Sequence, residues 1–306
     1  MQHVPVLLPE VLAALRPRAG GRYVDATVGL GGHAREILAA SAPDGELLGI
    51  DLDPHALQIA RLRLESFGGR ANLVQAASSA LQVEAHKLGW KQADGILMDL
   101  GLSSLQLDLG ERGFSFQVEA PLDMRFDPQA VLTAAEIVNV WPEQELAALI
   151  AEFGEEPHSW RVAREIVKAR PVATTTRLAA VVAAAVGRQQ GRIHPATRTF
   201  QAVRMAVNSE LDLLESALPR ALELLAPGGR LAVISFHSLE DRLVKDTFRQ
   251  AALDCVCPPA QPVCTCDKRA TVRLITRRPI VPADAEVAAN KRSRSAKLRV
   301  VEKLGE

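Results

Sequence analysis

The sequence predicts an α/β protein, a Rossmann-like, doubly wound parallel sheet with an inserted all-helical domain. Three observations carry the fold. Short apolar runs bounded by turn residues alternate with helical patterns from the start of the chain. The first run ends in a carboxylate, Asp25, and crosses a glycine-rich turn, "TVGLGGHA". From about 108 to 195 strand patterns stop and helical patterns take over.

Taken in order, "RYVDAT" reads as the first strand and 34–41 as its helix, then "ELLGIDLD" as the second strand and 54–67 as the next helix. "ANLVQA" is a third strand and "ADGILMDL" (93–100) a fourth. The stretches "TAAEIVNVWPEQELAALIAEF", "SWRVAREIVKAR" and "TRLAAVVAAAVGR" are helical in pattern. An all-helical piece between strands of one sheet reads as an insertion beyond the carboxyl end of the fourth strand, where open α/β sheets bind ligands. It is expected to act as a lid or substrate-recognition element, the plainer alternative being that it covers one face of the sheet. "LAPGGRLAVISF" then supplies a turn and a strand at 230–236, and "TVRLITRRP" and "AKLRVVEK" two late strands that suit a hairpin.

With 306 residues, 48% of them hydrophobic, a sizeable core is no difficulty. Lys+Arg and Asp+Glu both number 36, so a nucleic-acid partner would need a local patch rather than net charge. The opening "MQHVPVLLPEVLAAL" lacks the basic n-region of a signal peptide. The longest apolar run, "LAAVVAAAVG" (178–187), is too short to span a bilayer. A soluble cytoplasmic protein is expected.

The glycine turn fits a dinucleotide fingerprint as Gly29-x-Gly31-x-x-Ala34, with Gly32 and His33 crowding the same turn. Asp51 ends the second strand, where it can accept hydrogen bonds from the ribose hydroxyls of either NAD or S-adenosylmethionine. The two separate at the amino-acid end of S-adenosylmethionine. Asp25 suits its ammonium, and loop N–H groups near Gly31–His33 suit its carboxylate. Asp99 stands at the mouth of the fourth strand, where a methyltransferase meets its acceptor. The combination favours S-adenosylmethionine and so a class I S-adenosylmethionine-dependent methyltransferase sheet, with an NAD-linked oxidoreductase as the alternative.

These residues resemble the bacterial small-subunit rRNA methyltransferase H family, also called RsmH or MraW, nearly end to end. The resemblance runs through "HVPVLLPE" (3–10), "VDATVGLGGHA" (24–34), "MDLGLSSLQLD" (98–108), "ERGFSF" (111–116) and "PLDMRFD" (121–127). It continues in "HPATRTFQAVRMAVNSEL" (194–211), "APGGRLAVISFHSLEDRLVK" (226–245) and "RSAKLR" (294–299). It implies methyl transfer from S-adenosylmethionine to N4 of a cytosine in the decoding centre of the 16S rRNA of the small ribosomal subunit. It also implies cofactor contacts at Gly31, Gly32, His33, Asp51, Asp99 and Gln106. On this reading 1–107 and 196–306 form the methyltransferase domain, and 108–195 the substrate-recognition insertion. Members of the family often carry phenylalanine where Ser78 stands, an aromatic that could pack against adenine, so the adenine pocket of this chain is expected to be built differently or to bind less tightly. Lys291 stands where relatives tend to have proline. A ribosome-assembly factor without catalysis is the remaining alternative, opposed by the retained Asp51, Asp99 and glycine turn.

Cytosine's exocyclic amine is a poor nucleophile because its lone pair is delocalised, so an enzyme must position it and accept its N–H hydrogen bonds. Asp99 is the candidate, acting on the amine, the cofactor or both. Ser103 and Ser104 suit either that site or a helix cap. Thr197, Gln201, Arg204 and Asn208 form a polar stripe that suits a base edge, a phosphate or plain solvent. His237, Asp241 and Arg242 lie at another strand end, and suit structural pairing equally well. The basic candidates for RNA are "KRSRSAKLR" (291–299), Arg277–Arg278, and Arg161, Arg164 and Lys168 on one helix face. All four cysteines, Cys255, Cys257, Cys264 and Cys266, fall in "CVCPPAQPVCTC". Two Cys-x-Cys pairs suit a tetrahedral zinc site or free thiols, although Cys-x₂-Cys is the commoner ligand spacing.

Overall fold

The alternation of apolar runs and helices becomes four parallel strands, β1 (Arg22–Asp25), β2 (Glu46–Asp51), β3 (Ala71–Gln75) and β4 (Ala93–Asp99), in a computed structural model that describes residues 5–103, 106, 110–187, 194–258, 261 and 263–305. Helices α1 (Leu8–Leu15), α2 (Gly32–Ala40), α3 (Pro54–Leu64) and α4 (Leu81–Lys87) precede or connect them. Two later strands complete the sheet beyond β5 (Leu225–Ser235): β7 (Lys297–Lys303) runs antiparallel to β5, and β6 (Val272–Leu274) antiparallel to β7. The order is β3-β2-β1-β4-β5-β7-β6. The chain therefore reverses its direction of growth between β1 and β4, the switch point at which such sheets leave a crevice for ligands.

β5 begins earlier than the 230–236 expected from the sequence. "LAPGG" is not a turn ahead of the strand but a bulge within it: Ala93 of β4 pairs with Leu225 and Gly95 with Arg230, so the intervening residues are looped out.

Alternation along the strands sorts their side chains into two buried layers. Leu48, Ile50, Ile96, Met98 and Val233 face helices α4, α10 (Glu210–Leu224) and α11 (Ser238–Ala251). Leu47, Leu97, Ala232 and Ile234 face α1, α2 and α3. Leu97 lies on the central strand and is fully buried. Truncating such a side chain to alanine costs about 2–5 kcal/mol. The strand ends that carry the candidate site thus project from a rigid platform.

The chain divides into two compact units, Met1–Gly101 with Asp212–Glu306, and Leu102–Leu211. The second contains α5 (Ala134–Val140), α6 (Glu143–Gly154), α7 (Ser159–Lys168), α8 (Thr175–Val186) and α9 (Thr197–Val207) around its own apolar core. It reaches past the 108–195 read from the helical pattern because α9 belongs to it: Phe200, Ala202 and Val203 share that core with Leu146 and Ile150 of α6. Leu214, a few residues beyond α9, lies on α10 in the first unit's core.

The polar stripe on α9 serves this unit internally. Gln201 donates to the Phe153 carbonyl at 3.0 Å, and Arg204 grips Glu210 through two hydrogen bonds of 2.7 and 2.9 Å. Asn208 accepts from Phe126 N at 2.7 Å and donates to Met124 O at 2.8 Å, holding a backbone bend in which Met124 takes a positive φ of 60°. Of the four residues expected to read a base or face water, these three tie α9 to neighbouring segments of the chain. Among the described residues, no helix is long and apolar enough to cross a membrane.

Candidate active site

Register decides what meets at the switch point. Asp25 on β1 is level with Gly49 on β2 and with Leu97 on β4. Asp51 and Asp99 are the last residues of those two strands, so three carboxylates gather at the carboxyl ends of adjacent strands.

Asp25 is 1% exposed and accepts a hydrogen bond from the Thr27 N–H at 3.3 Å. Burial pushes its carboxyl up to about 7; the charge of His33 opposes that shift and those of Asp99 and Asp51 add to it. Asp51 is better supplied, one oxygen accepting from Gly29 N at 2.8 Å and the other from Asp53 N at 2.9 Å. Burial still pushes it up to about 6 against those hydrogen bonds. Asp53 itself caps α3, accepting from His55 N at 3.0 Å.

The glycine turn is shaped by left-handed backbone. Gly29 has φ 49° and Gly31, the N-cap of α2, has φ 76°, and no side chain caps the helix. The first N–H groups of α2, beginning at Gly32 and His33, thus lack intrahelical acceptors. His33 is 5% exposed, with Nε2 lying 3.5 Å from Asp99 Oδ2. Among the described residues, both ring nitrogens of His33 and Oδ1 of Asp99 are buried without a hydrogen-bond partner. The Asp99 backbone is pinned, its N–H donating to Thr27 Oγ1 at 2.6 Å. Sequence reading did not single out Thr27; the signal for it is its place two residues past Asp25, where one side chain can bridge two neighbouring strand ends.

Gly29, Gly31, Gly32, His33, Asp51 and Asp99 therefore come together on the first unit. Ser78 opens a 3₁₀ turn (Ser78–Ala80) just beyond β3, whose Gln75 is level with Asp51, placing it at the margin of the same strand ends. Gln106 belongs to the second unit. It is buried, accepts from Ser103 N at 3.0 Å and donates its own N–H to Ser103 Oγ at 3.3 Å. Ser103 is thus the capping residue of a reciprocal Ser-x-x-Gln lock. Ser104 lies outside the described residues.

His237 is also a cap. Its Nδ1 accepts from Glu240 N at 3.4 Å, while Glu240 Oε2 accepts from Phe236 N at 2.9 Å. Asp241 receives Arg299 Nε at 2.6 Å and Lys297 Nζ at 3.1 Å, and these cations hold its carboxyl low although burial works the other way. Two of the basic residues in "KRSRSAKLR" are thereby committed, while Lys291 and Arg294 remain exposed, as are Arg277 and Arg278. The basic face of α7 is partly engaged within the chain: Arg161 donates to Val186 O, Arg164 pairs with Glu143 and Lys168 with Glu165. The four cysteines gather into one cluster.

Comparison with known proteins bears on this site. The family model described as the MraW methylase family matches residues 1–304. A "Ribosomal RNA small subunit methyltransferase H" from Dehalococcoides mccartyi is 54% identical over 302 residues, covering 99% of this chain and 86% of that protein. Proteins of the same name from Thermomicrobium roseum (54% over 305 residues; 99% and 94% covered) and Heliobacterium mobile (52% over 309 residues; 99% and 99%) are similar to the same extent.

The buried carboxylates make the unliganded protein sensitive to pH. Asp25 is raised from 3.8 to about 7 on folding, so between those values the folded chain binds more protons than the unfolded one. The contribution of Asp25 to stability is then fullest below about pH 4 and is lost as pH rises through about 7. Asp25→Asn keeps the shape and removes this titration. Urea unfolding at pH 8 should show the variant more stable than the parent by up to about 4 kcal/mol, at about 1.4 kcal/mol for each pH unit separating the two values. The difference should vanish near pH 4, and a pH slope identical to the parent's would refute it.

Proposed function

The chain belongs to the MraW methylase family, and on that premise we propose that it transfers a methyl group from S-adenosylmethionine to N4 of a cytosine in the decoding centre of 16S rRNA. The observation that supports this most is the gathering of Asp25, Asp51 and Asp99 at the switch point, with an uncapped helix start beside them. Carboxyls raised to about 7 and about 6 and an unpartnered buried Asp99 oxygen describe a crevice short of positive charge and hydrogen-bond donors. S-adenosylmethionine carries an ammonium, a sulfonium and ribose hydroxyl donors, so the residues fit it. A dinucleotide would bring a pyrophosphate toward three carboxylates, which disfavours the oxidoreductase reading.

In this reading Asp51 accepts from the ribose hydroxyls, Asp25 faces the ammonium, and the N–H groups of Gly32 and His33 receive the carboxylate. Ser78 borders the adenine. The bound cofactor supplies a methyl group already activated on a sulfonium. Asp99 does the chain's part of the chemistry: its carboxylate accepts a hydrogen bond from the cytosine amine and stabilises positive charge as it develops on N4. Thr27 positions Asp99 through its backbone, and His33 sets the field on its other side. The base must be unpaired or flipped for that contact. A methyl group already activated on sulfur needs no metal to leave, so zinc on the four cysteines would be structural. The helical unit is assigned to recognition of the RNA within the small subunit, and the work is done in the cytoplasm.

Asp51→Ala leaves the ribose hydroxyls without an ionised acceptor. Calorimetry should find S-adenosylmethionine bound about 10–100-fold more weakly, from a loss of about 1.5–3 kcal/mol. Asp51→Asn, which keeps an acceptor for Gly29, controls for collapse of the glycine turn. Unchanged affinity in the folded alanine variant removes Asp51 from the site.

Asp99→Asn preserves shape but leaves a neutral acceptor beside the amine. Single-turnover methylation of small subunits lacking the modification should slow by about 10²–10³-fold at saturating cofactor, the scale for losing one transition-state electrostatic group. Cofactor affinity should fall less. A normal rate at saturation would make Asp99 a cofactor ligand only.

For the backbone-charge part of RNA binding, the exposed Arg277, Arg278, Lys291 and Arg294 are favoured over α7, where Arg164 and Lys168 stand beside carboxylates. The helical unit would recognise the RNA through other side chains. Replacing those four together by alanine should weaken RNA binding and reduce its salt dependence. The slope of log K against log salt should shrink by about 0.7–0.9 for every phosphate no longer neutralised. The triple Arg161, Arg164 and Lys168 alanine variant should change it little. The reverse ranking would move the RNA surface to α7.

A further inference from the structure

We infer that Cys255, Cys257, Cys264 and Cys266 form a structural zinc site, a tetrathiolate that fixes the excursion between α11 and β6. The ligand atoms are already assembled. All four sulfurs lie within 4.8 Å of one another, with separations of 3.5 Å for Cys255–Cys264, 3.6 Å for Cys264–Cys266, 3.7 Å for Cys255–Cys266 and 3.9 Å for Cys257–Cys264. With Zn–S bonds of about 2.3 Å, the edge of a regular S₄ tetrahedron is about 3.8 Å. Two disulfides would instead bring the sulfurs together in pairs at about 2.05 Å, and all four cysteines are free.

Backbone groups point at these sulfurs as they do toward thiolates. Cys257 N–H donates to Cys255 Sγ at 3.3 Å, and Val256 N–H donates to Cys266 Sγ at 3.5 Å. The neck of the excursion is closed where Thr271 N donates to Ala251 O at 2.9 Å and Ala270 N to Asp254 Oδ1 at 3.2 Å. Beyond the neck no apolar core holds the segment among the described residues: Val256 is 54% and Val263 68% exposed. Four weakly hydrogen-bonding thiols do not offset the conformational entropy of ordering such a loop, whereas a metal bound only by the folded arrangement does. Binding exchanges four S–H bonds for four S–Zn bonds and releases up to four protons to solvent, so affinity should fall steeply as pH is lowered.

The test uses the full chain, purified under reducing conditions without chelator. Elemental analysis should find about one zinc per chain, with thiols that react with a thiol reagent only after chelation or unfolding. Replacement by cobalt should give the intense visible absorption of tetrahedral thiolate coordination. The double variant Cys257→Ser/Cys264→Ser should lose the metal and retain S-adenosylmethionine binding. If that variant does not fold, metal content and thiol titration of the parent chain decide. A parent chain with four reactive thiols that takes up no zinc when zinc is supplied overturns the site. So does a folded double variant that keeps its zinc.

Discussion

Three carboxylates at the ends of β1, β2 and β4 must be held within one crevice, and the surrounding turns are arranged around that demand. Parallel register makes the demand unavoidable, because it fixes Asp25 against Gly49 and Leu97 and so sets the level at which Asp51 and Asp99 emerge. Each of the three is handled differently. Asp51 takes two backbone N–H groups, which requires the Gly29 turn to fold back onto the end of β2. Asp99 has its main chain pinned by Thr27, leaving the carboxylate with one unpartnered buried oxygen. Asp25 accepts a single backbone N–H, from Thr27, and its carboxyl is raised further than that of Asp51. A protein under no functional demand would replace such a residue with an apolar one.

Local signals carried the sheet. Period-two and continuous apolar runs identified each of β1 to β4, since parallel strands buried on both faces contain little else. The bulge in β5 was not legible because Pro227, Gly228 and Gly229 have the composition of a turn, and only pairing with β4 on both sides turns them into an interruption within one strand. The capping roles of Ser103 and His237 have a sequence signature, an acceptor followed three residues on by Gln or Glu, but the same side chains also suit a catalytic site. Their geometry separates the two uses.

The α9 stripe shows a deeper limit. Amides and an arginine recurring on one helix face have the composition of a nucleic-acid reader, and periodicity cannot tell whether that face meets solvent or another segment of the chain. Here Asn208 completes the bend at Met124, and Arg204 is matched by Glu210 six residues later. The helical unit thus uses polar side chains where a core of small and branched residues leaves backbone groups to satisfy. The basic residues behave alike, because pairing with Asp241, Glu143 or Glu165 commits a cation that composition counts as available.

The carboxylates and the cysteines are two clusters of groups that ordinarily avoid one another, and the fold tolerates them for different reasons. Those at the switch point sit on strand ends whose positions are set by two buried layers, so the platform holds them there whether or not a cation is bound. Among the described residues no comparable platform lies under the cysteines, where the neighbouring Val256 and Val263 face solvent. Strand geometry explains the first cluster without any ligand. Convergence of four sulfurs on an exposed loop has no such explanation in packing, and the interaction that restores the balance is coordination itself.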